Sequence, residues 1–587
     1  MLWELFSILP LLLNMHLVSS SCRHENNFGV YFIYCTQLSN LEEIDTIPFN
    51  SSMIRIFIDN SNITLTRSHN LVDKRLKELQ ITASSISVIE RDFLINFQEL
   101  DRITIRDSEI QKIETFPSLI KLDSLIFQRN KMSSLPQDFV RELRRLNIMF
   151  LTNSEIDLKH LPQYMFRDVP LICLRLSGNG IMSVKPNTFA TLKSLVELKL
   201  NNNSISVLPV GVFQDLEALT DLNLNDNRLI SLRKDTFGGL RNLNYLTLSN
   251  NYLTHIESNW FDELPSLTVL HLNSNRIKSF ELSAPLLKSL YLSQNFLTHL
   301  RDDFIDAPSL RLLDISHNSL NHVANNAFKG LRQLETLNLE SNKISRLVYK
   351  HLSNLISLTL SDNKITNLTT IEFNRLQHLQ SLNLSNNNIV TLPMLAFHKL
   401  FSLQELDLHN TRLTEIKPSM FAGLENLKSL NLSGNKLLKI TPGTFKGVKG
   451  LKILNLGDIY VKKFNFNAFS ELQHLKVLNL EYNKFTYLPV GLFANMKLNY
   501  LSLKGNAVKQ LERNVFKNQT EMEELDLRHT KVENLDFVEE MHNLRFLLLE
   551  NTKYGDLKII RFINQTFRKV NEGYWDSWCS DFECKGK

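Results

Sequence analysis

Histidines, cysteines and paired carboxylates are the side chains that could cut a bond or hold a metal, and this sequence disperses them. It holds 16 His and 5 Cys. No G-x-S-x-G, H-E-x-x-H, phosphate-loop or C-x-x-C spacing brings a nucleophile to a base, or ligands to a metal. Histidines such as His271 and His409 stand at scattered positions, where a solvated ring is the simpler account. The sequence therefore predicts no catalytic residue, no cofactor, no metal and no small-molecule substrate. What is left is recognition, which needs a rigid frame that presents side chains in rows.

That frame is written as a repeat. The pattern L-x-L-x-x-N-x-L, then an apolar residue, then Phe, then Leu, recurs along the chain. The clearest run is Leu198, Leu200, Asn203, Ile205, Leu208, Phe213 and Leu216. It returns as Leu222, Leu224, Asn227, Leu229, Leu232, Phe237 and Leu240, a period of 24. The Asn series runs through Asn130, Asn153, Asn179, Asn251, Asn275, Asn295, Asn318, Asn342, Asn363, Asn387, Asn435, Asn483 and Asn506. Ser61, Ser84 and Ser108 hold the slot earlier; Thr411, Ile459, Thr530 and Thr552 hold it later. About 22 repeats are expected between residues ~50 and ~556. The L-x-L segment predicts a short strand with two Leu inward and its other residues outward. The strands should stack in parallel, turn on turn. An Asn amide at the strand exit both donates and accepts, so it can serve backbone groups of adjacent turns. Ile459 cannot. Phe recurs ten residues after the slot, from Phe189 to Phe516, and predicts an internal aromatic spine. Short spacings, 20 from Asn275 to Asn295 and 21 from Asn342 to Asn363, should tighten the far side of the coil. The 26 from Asn153 to Asn179 should add a small loop.

This repeat resembles the extracellular "typical" 24-residue class of the leucine-rich repeat family, over nearly the whole chain. The resemblance implies an α/β solenoid (horseshoe) with a parallel β-sheet on its concave face and a cap at each end. It is also similar to secreted insect leucine-rich immune proteins and Toll-like ectodomains. That implies a non-catalytic recognition protein for extracellular protein partners, with a role in innate defence. A cell-adhesion or matrix protein, the ectodomain of a longer membrane-anchored chain, is the alternative.

The expected organisation is a signal peptide at residues 1–21, an N-terminal cap at 22–50, the solenoid at 51–556 and a C-terminal cap at 557–587. Leu5 to Val18 is apolar and too short to span a bilayer, and Ser19, Ser20 and Ser21 follow it. A secreted product follows, unless the chain continues. Sequons stand at Asn50, Asn62, Asn202, Asn367, Asn383, Asn431, Asn518 and Asn564. Cys22 with Cys35, and Cys579 with Cys584, would each close a loop in one cap. Cys173 is left over, facing outward. An interchain disulfide in a dimer is one reading, and a shielded thiol without a role is the other.

Composition narrows the partner. The net charge is only +5, which argues against a chain built to coat nucleic acid and leaves a local basic patch open. With 43 % hydrophobic residues the chain is not a disordered one. The outward strand positions mix basic and apolar residues in the N-terminal half. Arg102, Arg106, Ile126, Met149, Arg175 and Lys199 are the candidate binding residues. For Met149 and Leu151 a place in the core is the alternative, because that repeat is irregular. Farther along, the outward residues are mostly Ser, Thr and Asn. Glycans at Asn383 and Asn431 would cover that face.

Overall fold

The computed structural model describes residues 16–17, 22–28, 30–45, 53–66 and 75–560, apart from positions 133, 157, 234, 257, 303, 349, 369–372, 438 and 556–557. The chain divides into two compact units. The first is Met1–Leu297 with Ile305–Leu310; the second is Thr298–Phe304 with Arg311–Lys587.

The first unit opens with an antiparallel hairpin, Cys22–Asn27 against Val30–Thr36. Cys22 and Cys35 face each other across it and are disulfide-bonded, as expected. His16–Leu17, inside the segment read as a signal peptide, adds a short antiparallel strand. From Val30–Thr36 onward each turn pairs in parallel with the next. The series runs through Met53–Asp59, Leu76–Thr82, Arg102–Arg106, Ser124–Gln128 and Ile148–Thr152. It continues through Cys173–Arg175 and Glu197–Lys199 to Ser289–Tyr291. The early strands span five to seven residues and the later ones three. The early repeats place Ile where the later ones place Leu, as at Ile54, Ile56, Ile58, Ile103 and Ile105. β-branched side chains favour a longer pleated segment. The same composition builds a second parallel sheet behind the first, from Asn62–Leu65 to Glu155–Ile156.

The second unit repeats the parallel series from Leu312–Asp314 to Phe546–Leu548. Lys558–Ile560 then pairs antiparallel with Phe546–Leu548. An antiparallel strand at that edge satisfies backbone groups that would otherwise stand unpaired.

Two columns fill each unit. Register sets Leu on Leu, as in Leu198, Leu222, Leu246 and Leu270, all of them fully buried. Behind them the Phe rings stack: Phe166–Phe189 and Phe189–Phe213 at 6.2 Å, Phe213–Phe237 at 6.5 Å. Phe445–Phe469 and Phe493–Phe516 do the same in the second unit, at 6.0 and 5.9 Å. The expected aromatic spine is therefore present.

The Asn slot works as its chemistry requires. Asn203 Nδ2 donates to the carbonyls of Leu176 (3.0 Å) and Leu200 (2.9 Å). Its Oδ1 accepts from the N–H groups of Asn179 and Ile181, both at 3.0 Å. One side chain thus serves two turns. A second rule accompanies it. At all 22 slots from Ser61 to Thr552, the preceding residue has positive φ, from Asn60 (46°) to Asn551 (55°). Asn, Asp and Gly dominate those positions because they tolerate the left-handed region best.

That rule corrects one frame. Asn153 was expected in the slot, but it has positive φ (50°), and Ser154 is the buried slot residue. Ser154 Oγ accepts from Asn130 N–H at 3.3 Å, and its own N–H donates to Asn179 Oδ1 at 3.0 Å. The expected 26-residue spacing is therefore one of 25, from Ser154 to Asn179. Asn153 instead lies over Gly178, with Oδ1 2.0 Å from where a Cβ would stand. Only Gly fits there. Among the described residues no helix is long and apolar enough to cross a membrane.

Candidate functional site

Parallel register turns the outward strand positions of the first unit into rows. One row runs Tyr34, Phe57, Gln80, Thr104, Ile126, Phe150, Arg175, Lys199. It begins with Tyr34 stacked on Phe57 (5.0 Å, 17°) and Phe32 beside them at 6.4 Å from Phe57. Arg23 stands over Tyr34 at 5.4 Å, and Arg55 over Phe32 at 5.6 Å. Farther along, Ile126, Ile148 and Phe150 are half-buried neighbours, and the Arg175 guanidinium lies 4.4 Å from the Phe150 ring centre. A cation over a ring face is attracted by its quadrupole.

The expected residues divide. Arg102 is exposed, and Arg106, Ile126, Arg175 and Lys199 are half-buried on this face. Met149 is not there. It is 1 % exposed, and Leu151 is fully buried. Counting from Ser154 rather than Asn153 moves the inward pair to Met149 and Leu151, and puts Ile148 and Phe150 outside. A one-residue slip in a strand exchanges its faces. The spacing Leu146, Met149, Leu151, Ser154 carries that frame, with Ser in the slot as at Ser108. Phe32 and Tyr34 have no such repeat signal, because the hairpin that carries them lies ahead of the first repeat.

Two of the four candidate cations are tied down. Arg175 Nε pairs with Glu197 Oε1 at 2.6 Å, and Lys199 Nζ with Asp221 Oδ1 at 3.0 Å. Arg106 Nε is buried without a hydrogen-bond partner. Cys173 is half-buried and donates its S–H to Glu197 Oε1 at 3.3 Å. Burial, then the hydrogen bond and charge of Glu197, push the Cys173 thiol up to about 11. At neutral pH the sulfur is a thiol, a poor nucleophile.

In the second unit the outward row is Asp314, Asn338, Thr359, Asn383, Asp407, Asn431, Asn455 and Asn479. Every Asp and Asn of that row uses Oδ1 to accept the N–H two residues on, as Asn383 does from Ser385 at 3.0 Å. These amides shape the turn, a job the sequence did not betray. Among the sequons, Asn62, Asn202, Asn367 and Asn518 are exposed, while Asn383 and Asn431 are half-buried. Asn50, Asn564, Cys579, Cys584 and most of the expected signal peptide and C-terminal cap lie outside the described residues. Among the described residues no group of three or more His, Cys, Asp or Glu could hold a metal ion.

Comparison with known proteins agrees with the architecture. The family model for the leucine rich repeat matches residues 170–229, 219–277, 285–344, 353–413, 401–458 and 451–508, together more than half the chain. Human epiphycan is 24 % identical over 175 residues, 28 % of this chain and 50 % of epiphycan. Mouse epiphycan is 29 % identical over 124 residues, 21 % of this chain and 37 % of its own length. The chain thus spans half or less of the curated relatives it matches. Among solved structures, the TLR13–ssRNA13 complex is similar with a TM-score of 0.59 and 22 % identity, covering 81 % of this chain and 80 % of that one. A Leptospira interrogans leucine rich repeat protein gives 0.54 and 29 %, covering 61 % and 90 %. The Drosophila Toll–Spatzle complex gives 0.55 and 20 %, covering 83 % and 66 %. The chain belongs to the leucine rich repeat family.

Proposed function

We propose that the protein is a secreted, non-catalytic recognition protein of innate defence. Its first unit binds an extracellular protein through the row from Tyr34 to Arg175. The observation that carries this is the apolar and aromatic stretch Ile126, Ile148 and Phe150 with Arg175 over the ring, in a row that begins with the stacked Tyr34 and Phe57. Protein interfaces concentrate their energy in aromatic and Arg anchors that become fully desolvated. A half-buried ring with a guanidinium on it is pre-ordered and loses little side-chain freedom on binding. The Toll structure holds Spatzle, which supports a protein ligand.

The test is capture from extracellular fluid with the full chain, beside Phe150→Ala and Arg175→Ala, each checked for unchanged circular dichroism. Wild type should retain a soluble partner, and each variant should lose it about tenfold or more. Equal capture by all three, or no partner for any, would sink the reading. Retention on cell surfaces rather than in solution would favour the adhesion alternative.

A further inference from the structure

The near-neutral charge of the chain conceals a strongly basic stretch in the second unit. Residues 428–517 hold 14 Lys and 1 Arg against 4 acidic residues, whereas the whole chain is only +5. The repeat puts part of this charge in register. Lys428, Lys452 and Lys476 each stand one residue before a strand of the sheet. Lys452 N–H donates to the Lys428 carbonyl at 2.8 Å, and Lys476 N–H to the Lys452 carbonyl at 2.9 Å. They are therefore neighbours on consecutive turns, about 4.8 Å apart along the stack. Three like charges at that step repel one another, and few acids intervene. Glu521 takes Lys476 at 2.6 Å and Lys497 at 3.7 Å. Among the described residues no carboxylate pairs with Lys428, Lys436, Lys449, Lys452, Lys462 or Lys463.

The flanks of the row are amides. Gln404 and Gln380 precede Lys428 by the same backbone links, and Asn499 follows Lys476. Lys428 Nζ donates to Gln404 Oε1 at 2.7 Å, and Gln404 Nε2 to Gln380 Oε1 at 3.4 Å. The row is thus a line of cations one turn apart, bracketed by groups that both donate and accept. A linear polymer with repeated fixed anions and many hydroxyls complements it. From the geometry we infer that this edge of the second unit binds a sulfated glycosaminoglycan. The inference rests on the extracellular reading for where such a polymer would be met. Nucleic acid fits less well. Base stacking needs free aromatic faces, and two of the four exposed rings of this stretch, Tyr460 and Tyr482, are covered by Lys484 at 4.6 Å and Lys504 at 5.5 Å.

The experiment uses the full chain on immobilised heparin, with three substitutions made together, Lys428→Gln, Lys452→Gln and Lys476→Gln. A control set, Lys131→Gln, Lys185→Gln and Lys278→Gln, removes the same charge from exposed positions of the first unit. Wild type should be retained above ~0.15 M salt. The row variant should bind at least tenfold more weakly, with its salt slope reduced by about two to three. The control should stay within about twofold of wild type. Desulfated heparin should not retain the chain. Equal losses in both sets would reduce the effect to bulk charge and overturn the inference. So would elution below ~0.15 M, or tighter binding of single-stranded RNA than of heparin. The row variant should keep its protein partner, so failure here is separable from failure of the protein-binding reading.

Discussion

At the scale of the residue, the slot decides how well each turn is satisfied. Asn251 Nδ2 donates to three carbonyls, those of Leu224, Leu248 and Ser249, and its Oδ1 accepts the buried N–H of Leu229 at 3.0 Å. Asn251→Ala should cost about 2–3 kcal/mol, chiefly through that stranded donor, read as a lower denaturation midpoint. Ile459 is the natural contrast. Its N–H still donates to Asn483 Oδ1 at 3.2 Å, but it supplies no amide to the carbonyls of Leu432 and Leu456. Those carbonyls receive Asn435 Nδ2 and Asn483 Nδ2 at 2.9 and 2.8 Å. Ile459→Asn should therefore be tolerated or raise the melting temperature, whereas Asn at a neighbouring Leu should unfold the turn. Cys173 makes the second prediction at this scale. With its thiol pushed up to about 11, alkylation at pH 7.4 should be on the order of 100-fold slower than for free cysteine. Glu197→Gln should speed it. Non-reducing gels should then show monomer for wild type and Cys173→Ser alike, and a disulfide-linked dimer in wild type would contradict this.

At the scale of the element, a turn has little structure of its own. The strands of three residues are held by the turns on either side, and the Phe column ties the far side of the coil together. Phe213 touches rings on both neighbours, at 6.2 and 6.5 Å. Phe213→Ala should cost about 3–5 kcal/mol. Because repeats contact mainly their neighbours, hydrogen exchange should rise around residues 189–237 and stay unchanged in distant turns of the same unit. A uniform rise would mean that the unit unfolds as one block. Much of this was legible beforehand. The period, the slot and the Phe spine follow from spacing, because each is set by contacts inside one repeat or between adjacent ones, while the Cys22–Cys35 pair follows from two cysteines standing together ahead of the first repeat. The misread turn shows the limit. An Asn one place before a Ser competes for the slot, and only the backbone's left-handed turn at Asn153 decides between them. That single step moved Met149 inside and Phe150 out.

At the scale of the whole molecule, two histidines, one in each unit, answer pH in opposite senses. Asp407 hydrogen-bonds His409 and raises its pKa, against the effect of burial. A raised folded value means that His409 contributes stability in full below about pH 6.5, and that it is lost as pH rises through the folded value. Burial lowers the pKa of His271, which stacks on Tyr291 at 4.3 Å. There the unfolded chain takes up the proton first, so stability is lost as pH falls below about 6.5. Between pH 7.5 and 5.5, hydrogen exchange corrected for intrinsic rates should slow around residues 405–411 and quicken around 269–273. Asp407→Asn should abolish the first change and leave the second. Parallel shifts in both segments would contradict the assignment.

The sequence by itself determined the solenoid, its period, its buried Leu and Phe, and the absence of any catalytic spacing. Those properties are local, since a side chain's direction in a short strand follows from alternation and the turn from its Asn. The tertiary structure alone decided which outward residues become neighbours. Arg175 lies over Phe150, and Lys428, Lys452 and Lys476 form a row, because register joins positions 24 or 25 residues apart. An error of one residue in that register exchanges a core methionine for a surface ring. An outward face of this kind is therefore a property of the stack rather than of any one repeat.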